Sequence, residues 1–569
     1  GWIFNQPRLG APFGQVTYDF PQGGESLQYL LIKFLSLFTH SSGLIVNIYF
    51  FAGFGLVAGL VHLVLRHLRF GPLVAAAVAL PYAFLPFRLF HNEAHLSRTT
   101  YLSVPLACLL LVWLPAWRQR FLREPSLGPA IGCRHNLRWP RVVGALALCL
   151  MVGMWETMAT AFALVLIFTT AVVGAIRWHE WRRLVVGAIG CIGIGIGFIL
   201  VSLPSLWYWH VHGKNPVAGK RIVAEAELYG LKINRLILPS DGSRLHFMQV
   251  IANNSQHRTP VISEGGQSIG VLFALGVVGA LYAAVAGVRL RSAGEFDLRP
   301  AEDRGSLREV LGLGTVSSIL LATVGGFSTV LALLGFGQVR TWNRISLFIA
   351  FFALLQVAIW IERVTRWAGQ RVRWSPPLLM IATVLVCALA LADGPSVSHP
   401  DYSSVLAQSR NDQAIVDRIE NLMPAGSAII QVPPIPYPES RPPGRMRDYD
   451  PLRPYLADEK GQLRWSYGRI EGRPEADWQS KLTTGDQMLT DLPALLGMGF
   501  TGLWVDTYGY PEKSTIPGKI QQALHEQPIA SADGRFQFFD LRPLRASLAQ
   551  SDRQLKQLAT ATFGISPPD

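Results

Sequence analysis

The feature that most constrains this chain is a series of long apolar runs, at 42–65, 71–90, 101–117, 142–175, 184–204, 268–288, 309–336, 344–361 and 376–392. About 20 consecutive apolar residues are what an α-helix needs to cross a hydrocarbon core of roughly 30 Å. Half of the 569 residues are hydrophobic and only 16% are charged, too apolar a balance for a soluble protein of this length. The sequence therefore predicts an α-helical polytopic membrane protein with about nine to eleven membrane helices across 1–393. It adds a soluble α/β domain over 394–569.

The charges set the orientation. The net charge of +13 is not a nucleic-acid signature, because Arg66, Arg69, Arg118, Arg120, Arg123, Arg134, Arg138, Arg141, Arg177, Arg182, Arg183, Arg289, Arg291, Arg363, Arg366, Arg371 and Arg373 flank apolar runs. Short basic loops stay on the cytoplasmic side. Placing 66–70 inside puts 1–41, 88–100 and 205–267 outside, together with 336–344 and everything from 394 on. The loops 118–141, 178–183, 289–308 and 363–375 fall inside. The 34 residues of 142–175 would reach about 50 Å as one helix and have basic residues at both ends, so a hairpin turning at "GMWETMAT", 153–160, is expected. The chain begins at Gly1 in a polar, loop-like stretch, from which a missing N-terminus with one earlier membrane helix is expected. Cys108, Cys149, Cys191 and Cys387 lie in membrane segments and Cys133 in an inside loop, so no disulfide framework or zinc spacing is present.

The tail opens with a Pro/Ser-rich linker, 393–404. Helix and strand patterns then alternate: a helix at 411–422, a strand at 427–433, helices around 485–497 and 515–526, strands at 501–509 and near 528–541. It contains no phosphate-binding glycine loop and no nucleophile elbow.

Ionisable chemistry concentrates on the outer side. In "PFRLFHNEAHLSR", Arg88, His91, His95 and Arg98 recur at i, i+3, i+7 and i+10, and on a helix they share one face suited to an anion such as phosphate. An extended segment would instead put His91, Glu93 and His95 on one side, where a divalent cation could bind. HxExH is not a zincin motif, and an interfacial loop meeting water and headgroups explains the same residues. Asp19 and Glu25 in the first loop could each serve as a general base on an acceptor hydroxyl, or simply cap turns. Glu156 is a lone acid beside Trp155, near membrane depth, where ionisable residues are functional candidates. Lys214, Lys220, Arg221, Lys232, Arg235, Arg244 and His246 make the outside loop 205–267 basic, and Arg340 and Arg344 sit at another outer helix end. Phosphate is the natural partner for such outside cations. Solvated loops offset by Glu225, Glu227 and Asp241 are the plainer reading.

The stretches 5–21, 82–99, 227–239, 339–352 and 463–479 resemble the GT-C superfamily of membrane glycosyltransferases, and more narrowly the bacterial YfhO-like branch of large membrane proteins. That resemblance implies a polyprenyl-phosphate sugar donor, transfer to an envelope glycan or lipid acceptor on the outer leaflet of the bacterial inner membrane, and a catalytic carboxylate in the first outside loop. The family's acid usually follows the first membrane helix, so here it is expected upstream of Gly1, with Asp19 or Glu93 as substitute bases. Arg98, Arg340, Arg344, Lys220 and Arg221 would hold the donor phosphate, while Arg88, His91, His95 and His246 complete the candidate binding set. No cofactor is implied with certainty, a divalent cation being one option. A lipid-linked glycan transporter or flippase and a non-catalytic envelope scaffold are the alternatives. A flippase predicts inverted sequence repeats, which are not seen. A sulfatase-type headgroup transferase would need clustered Asp and His in the tail, which has only His399 and His525.

Overall fold

The computed structural model describes residues 3–20, 25–39, 41–121, 137–240, 242–258, 266–289, 302–371, 376–395, 401–482, 487–512 and 514–568. Arg123, Arg134, Arg291, Arg373, Cys133, Asp241 and His399 lie outside the described residues. The chain divides into two compact units. One gathers 1–22, 204–220 and 398–569, and the other gathers 23–203 and 221–397.

The larger unit is helical. Among the described residues six helical stretches are long and apolar enough to cross a membrane: Ser42–His67, Pro72–His91, Glu93–Trp113, Thr157–Trp178, Arg182–His212 and Trp342–Thr365. Shorter apolar helices include α1 (Ser26–Leu35), Trp139–Trp155, Val271–Val285, Val310–Ala322 and Thr383–Ala392. This is the polytopic helical architecture expected from the apolar runs, with local corrections.

Residues 1–41 are not all loop. "SLQYLLIKFL" forms α1, because Leu27, Leu30, Leu31, Phe34 and Leu35 recur at helical spacing. The run 142–175 breaks at Glu156, between Trp139–Trp155 and α2 (Thr157–Trp178). Glu156 is extended (φ −161°, ψ 128°) and its carboxylate caps α2 by accepting from Met158 N at 3.1 Å and Ala159 N at 2.6 Å. Thr160 Oγ1 donates to Val152 O across the break at 2.9 Å, although the two residues would stand about 12 Å apart along the axis of a continuous helix. The run 309–336 is likewise not one helix. It stops at Ala322, where Gly325 at φ +72° turns the chain, and restarts at Phe327. The buried centre of the unit is made of side chains such as Val61, Val78, Tyr82, Phe162, Phe348 and Phe352.

The smaller unit is an α/β sandwich. Its five-stranded sheet has the order β4–β3–β5–β7–β6, where β1 and β2 are the short N-terminal pair Asn5–Gln6 and Gln15–Val16. The strands are β3 (Ala428–Val432), β4 (Arg464–Trp465), β5 (Phe500–Asp506), β6 (Ile529–Ala530) and β7 (Phe536–Asp540). β3 runs parallel to β4 and β5, and β7 is antiparallel to β5 and β6. Successive side chains of a strand face opposite ways, and the cores divide accordingly. Ile430, Leu503 and Val505 pack against Leu492–Gly497 and Asp552–Phe563. Ile429, Trp504 and Phe538 pack against Ile415, Val416 and Ile419 of α3 (Tyr402–Leu422). The N-terminal segment extends the edge beside β4: Trp465 N donates to Arg8 O at 2.8 Å and Ala11 N to Trp465 O at 2.9 Å.

Candidate functional site

The stretch 88–98 contains a break that sequence periodicity did not reveal. The helix Pro86–His91 ends at Asn92, whose φ of +36° an asparagine tolerates better than most residues. Its Oδ1 accepts from Ala94 N at 2.9 Å, a single 3₁₀ turn follows over Glu93–His95, and Leu96–Thr99 makes one more helical turn. Neither the single helical face nor the extended arrangement of 88–98 is formed. Arg88 is fully buried, with its guanidinium 3.7 Å from the centre of the Phe54 ring. Gly53 makes room for it, since a Cβ there would stand 2.4 Å from Arg88 Nη2. His91 is buried and stacked on Phe87 at 4.1 Å, whereas Glu93 and His95 are exposed.

Arg98 leaves this cluster. Its Nη1 lies 3.4 Å from Glu156 Oε1. Both side chains line a narrow pocket that also receives buried Arg344. The remaining walls are mainly apolar, among them Phe87, Tyr101, Met158, Phe162 and Phe348. Two guanidiniums and one carboxylate at an apolar cavity fit an amphiphile with an anionic head. Glu156 has its second oxygen on the N-terminus of the 22-residue α2, whose dipole favours a negative charge there.

Glu25 acts on the same cluster. Burial pushes its carboxyl above the usual carboxylate range, and the charge of Glu156 adds to the shift. The Arg98 charge and the hydroxyls of Ser97 and Tyr29 oppose it. Tyr29 Oη donates to Glu25 Oε2 at 3.4 Å.

The other sequence candidates lie elsewhere. Arg340 pairs with Glu225 at 3.6 Å and stands over Tyr229. Arg221 is half-buried, while His246 and Lys220 are exposed, Lys220 within the smaller unit. Asp19 also belongs to the smaller unit. Arg473 grips its carboxylate with two bonds of 2.7 Å, Trp209 Nε1 donates to it at 3.0 Å and Asn215 Nδ2 at 3.3 Å. Among the described residues no three His, Cys, Asp or Glu side chains gather as a metal site.

Of the predicted binding set, the pocket brings together Arg98 and Arg344, and it joins them to Glu156. Sequence reasoning passed over Gln28, whose only signal is an amide inside the apolar helix "SLQYLLIKFL".

No family model matches the chain, and no curated protein matches it. Among solved structures, it is similar to the archaeal oligosaccharyltransferase AglB from Archaeoglobus fulgidus, solved in complex with an inhibitory peptide and a dolichol-phosphate. Identity is 11% and the TM-score 0.41, over 95% of this chain and 68% of that one.

Proposed function

We propose that the helical unit is a GT-C-type glycosyltransferase site that takes a polyprenyl-phosphate sugar. The observation that carries this reading is the pocket itself: Arg98, Arg344 and Glu156 at an otherwise largely apolar cavity. The phosphate sits against the two guanidiniums, which are always charged and offer forked donors. The prenyl chain lies over the apolar wall. Glu25 takes the proton of the acceptor hydroxyl, and its raised affinity for protons suits a general base. The acceptor oxygen bonds to the anomeric carbon, the carbon–phosphate oxygen bond breaks, and Arg98 and Arg344 stabilise the lipid phosphate that leaves. The acceptor is an envelope glycan or lipid at the outer leaflet.

The test is retention of a polyprenyl phosphate by the full-length protein in nanodiscs, read by native mass spectrometry. Arg98→Ala and Arg344→Ala are each expected to lower retention at least tenfold, the worth of about 1.4 kcal/mol. Retention unchanged in both variants overturns the reading.

A further inference from the structure

Gln28 is almost fully buried, at 1% exposure, in the first turn of α1. A primary amide has two N–H donors and one acceptor oxygen, and here each end is engaged. Nε2 donates to Ser97 O and to Trp155 O, both at 2.9 Å. Oε1 accepts from the Tyr49 hydroxyl at 2.7 Å. The two carbonyls admit only one orientation of the amide. The two backbone positions it holds are also specific: Ser97 immediately precedes Arg98, and Trp155 immediately precedes Glu156. One side chain thus spans the two chain segments that deliver the ion pair of the pocket. A second tie runs beside it, from Trp155 Nε1 to Thr100 O at 2.6 Å.

The Arg98–Glu156 contact is long for an ion pair, at 3.4 Å. Its own attraction is therefore a weak determinant of where the two side chains stand, and the backbone spacing must come from elsewhere. We propose that Gln28 is the positioning residue of this site. Its amide fixes the separation of the 97–98 and 155–156 backbones, so that Arg98 is held beside Glu156 yet free to transfer hydrogen bonds to an anionic headgroup. The inference rests on reading the pocket as a lipid-phosphate site. The selectivity it explains is for the phosphate and not for the prenyl chain, because Gln28 is absent from the apolar wall that the chain would occupy.

The experiment compares two probes on the full-length protein in phosphatidylcholine nanodiscs: a polyprenyl phosphate and the uncharged polyprenol of the same length. Gln28→Met keeps the volume and removes all three hydrogen bonds. It is expected to lower retention of the phosphate about tenfold, a loss of roughly 1.4 kcal/mol, while polyprenol retention stays at the wild-type level. Gln28→Glu keeps the acceptor for Tyr49 but loses the donors to both carbonyls, and it should behave like Gln28→Met. Tyr49→Phe, which leaves the two carbonyl bonds intact, should keep most of the phosphate preference. Equal loss of both probes in Gln28→Met would mean a collapsed pocket, and unchanged phosphate preference would mean an idle amide. Either result overturns the inference. Arg344→Ala separates the two levels: if it leaves phosphate preference intact, the reading of the pocket itself fails, whatever Gln28→Met does. Should Gln28→Met not accumulate, Gln28→Asn, with its amide one methylene short of its partners, is measured with the same two probes and judged by the same outcomes.

Discussion

Asp19 and Glu25 stand six residues apart in the sequence and have opposite environments. Asp19, in the smaller unit, accepts two bonds from Arg473 and one each from Trp209 and Asn215. Its burial is fully compensated, and none of its lone pairs is left to take a proton from a substrate. Glu25, in the helical unit, is half-buried, with hydrogen bonds from the Tyr29 and Ser97 hydroxyls and no guanidinium fork on its oxygens, and the charge of Glu156 works against its ionisation. A carboxylate saturated by donors holds structure together, whereas one held by fewer donors in a buried site keeps its proton to higher pH. Residue type and position in the first loop do not separate these cases. The partners do, and those partners come from residues up to 454 positions away.

The largest expected break in that contrast is Asp19→Ala. It leaves the half-buried Arg473 guanidinium without its carboxylate, a change that costs about 3–5 kcal/mol in fully buried pairs and less here, where Arg473 keeps some access to solvent. Arg473 also donates to His212 O and Gly213 O, so the loss should loosen 204–220 together with 471–473. Hydrogen exchange over these segments in the full chain checks it. Protection equal to the wild type would return Asp19 to the list of candidate bases.

Glu25→Gln is next and should act on turnover instead of stability. Removing a general base costs at least about a hundredfold in rate. Since burial disfavours the ionised form, the amide should leave the melting temperature unchanged or slightly higher. In the wild type the rate should rise with pH as Glu25 loses its proton, because only the carboxylate can accept one. Its raised folded-state pKa places that rise above the usual carboxylate range. Sugar transfer from a polyprenyl-phosphate donor, measured across pH, tests both. A pH profile with the same rise in Glu25→Gln would assign the base elsewhere.

The same logic explains what the sequence could reveal. Apolar runs and flanking arginines are local signals, so the helical class and the interruption of 142–175 near Glu156 were legible. The strands β3, β5 and β7 were legible for the same reason, since hydrophobic patterning lies within each segment. Three features were not. The positive φ of Asn92 breaks the expected Arg88–Arg98 face, and only the packed chain shows that this residue takes that conformation. β4 has two residues and owes its existence to pairing with β3 and the N-terminal segment. Gln28 reads as an interruption of an apolar helix until Ser97 and Trp155 arrive from 69 and 127 residues away. Within the site, Arg98, Arg344, Glu25 and Glu156 were visible as charges in apolar surroundings. Their convergence was not, because it depends on tertiary packing.

A third carboxylate sharpens the comparison between saturated and undersupplied acids. Glu420 on α3 is buried, and its pKa is pushed up to about 7. Burial is the main cause, followed by its hydrogen bond to Asp458 and the charge of that neighbour. Asp458 moves the other way: burial works to raise it, but the Glu420 hydrogen bond and Arg8, whose Nη2 lies 2.8 Å away, together lower it. A carboxyl with a raised folded-state pKa binds its proton more tightly folded than unfolded. Between the ordinary value of 4.5 and about 7 the folded state therefore holds more protons, and its stability falls as pH rises. Melting of the full-length protein should drop across that window, and Glu420→Gln should flatten the slope. A slope unchanged in the variant would show that the proton resides on another group.

The smallest effect expected is that of Trp209→Phe, which removes one of the four bonds to Asp19 and keeps the aromatic ring. The bond is to a charged acceptor, for which about 1.5–3 kcal/mol is typical. Here Arg473 continues to satisfy the same oxygen, Oδ1, at 2.7 Å. No buried charge is left unpaired, so the cost should fall at or below the lower end, about 1 kcal/mol. The measurement is the same hydrogen exchange over 204–220 used for Asp19→Ala. A loss approaching that of Asp19→Ala would mean that the indole, and not the guanidinium, carries the anchor. It would then take the ring nitrogen of Trp209, rather than a charge pair, to explain why Asp19 is held so differently from Glu25.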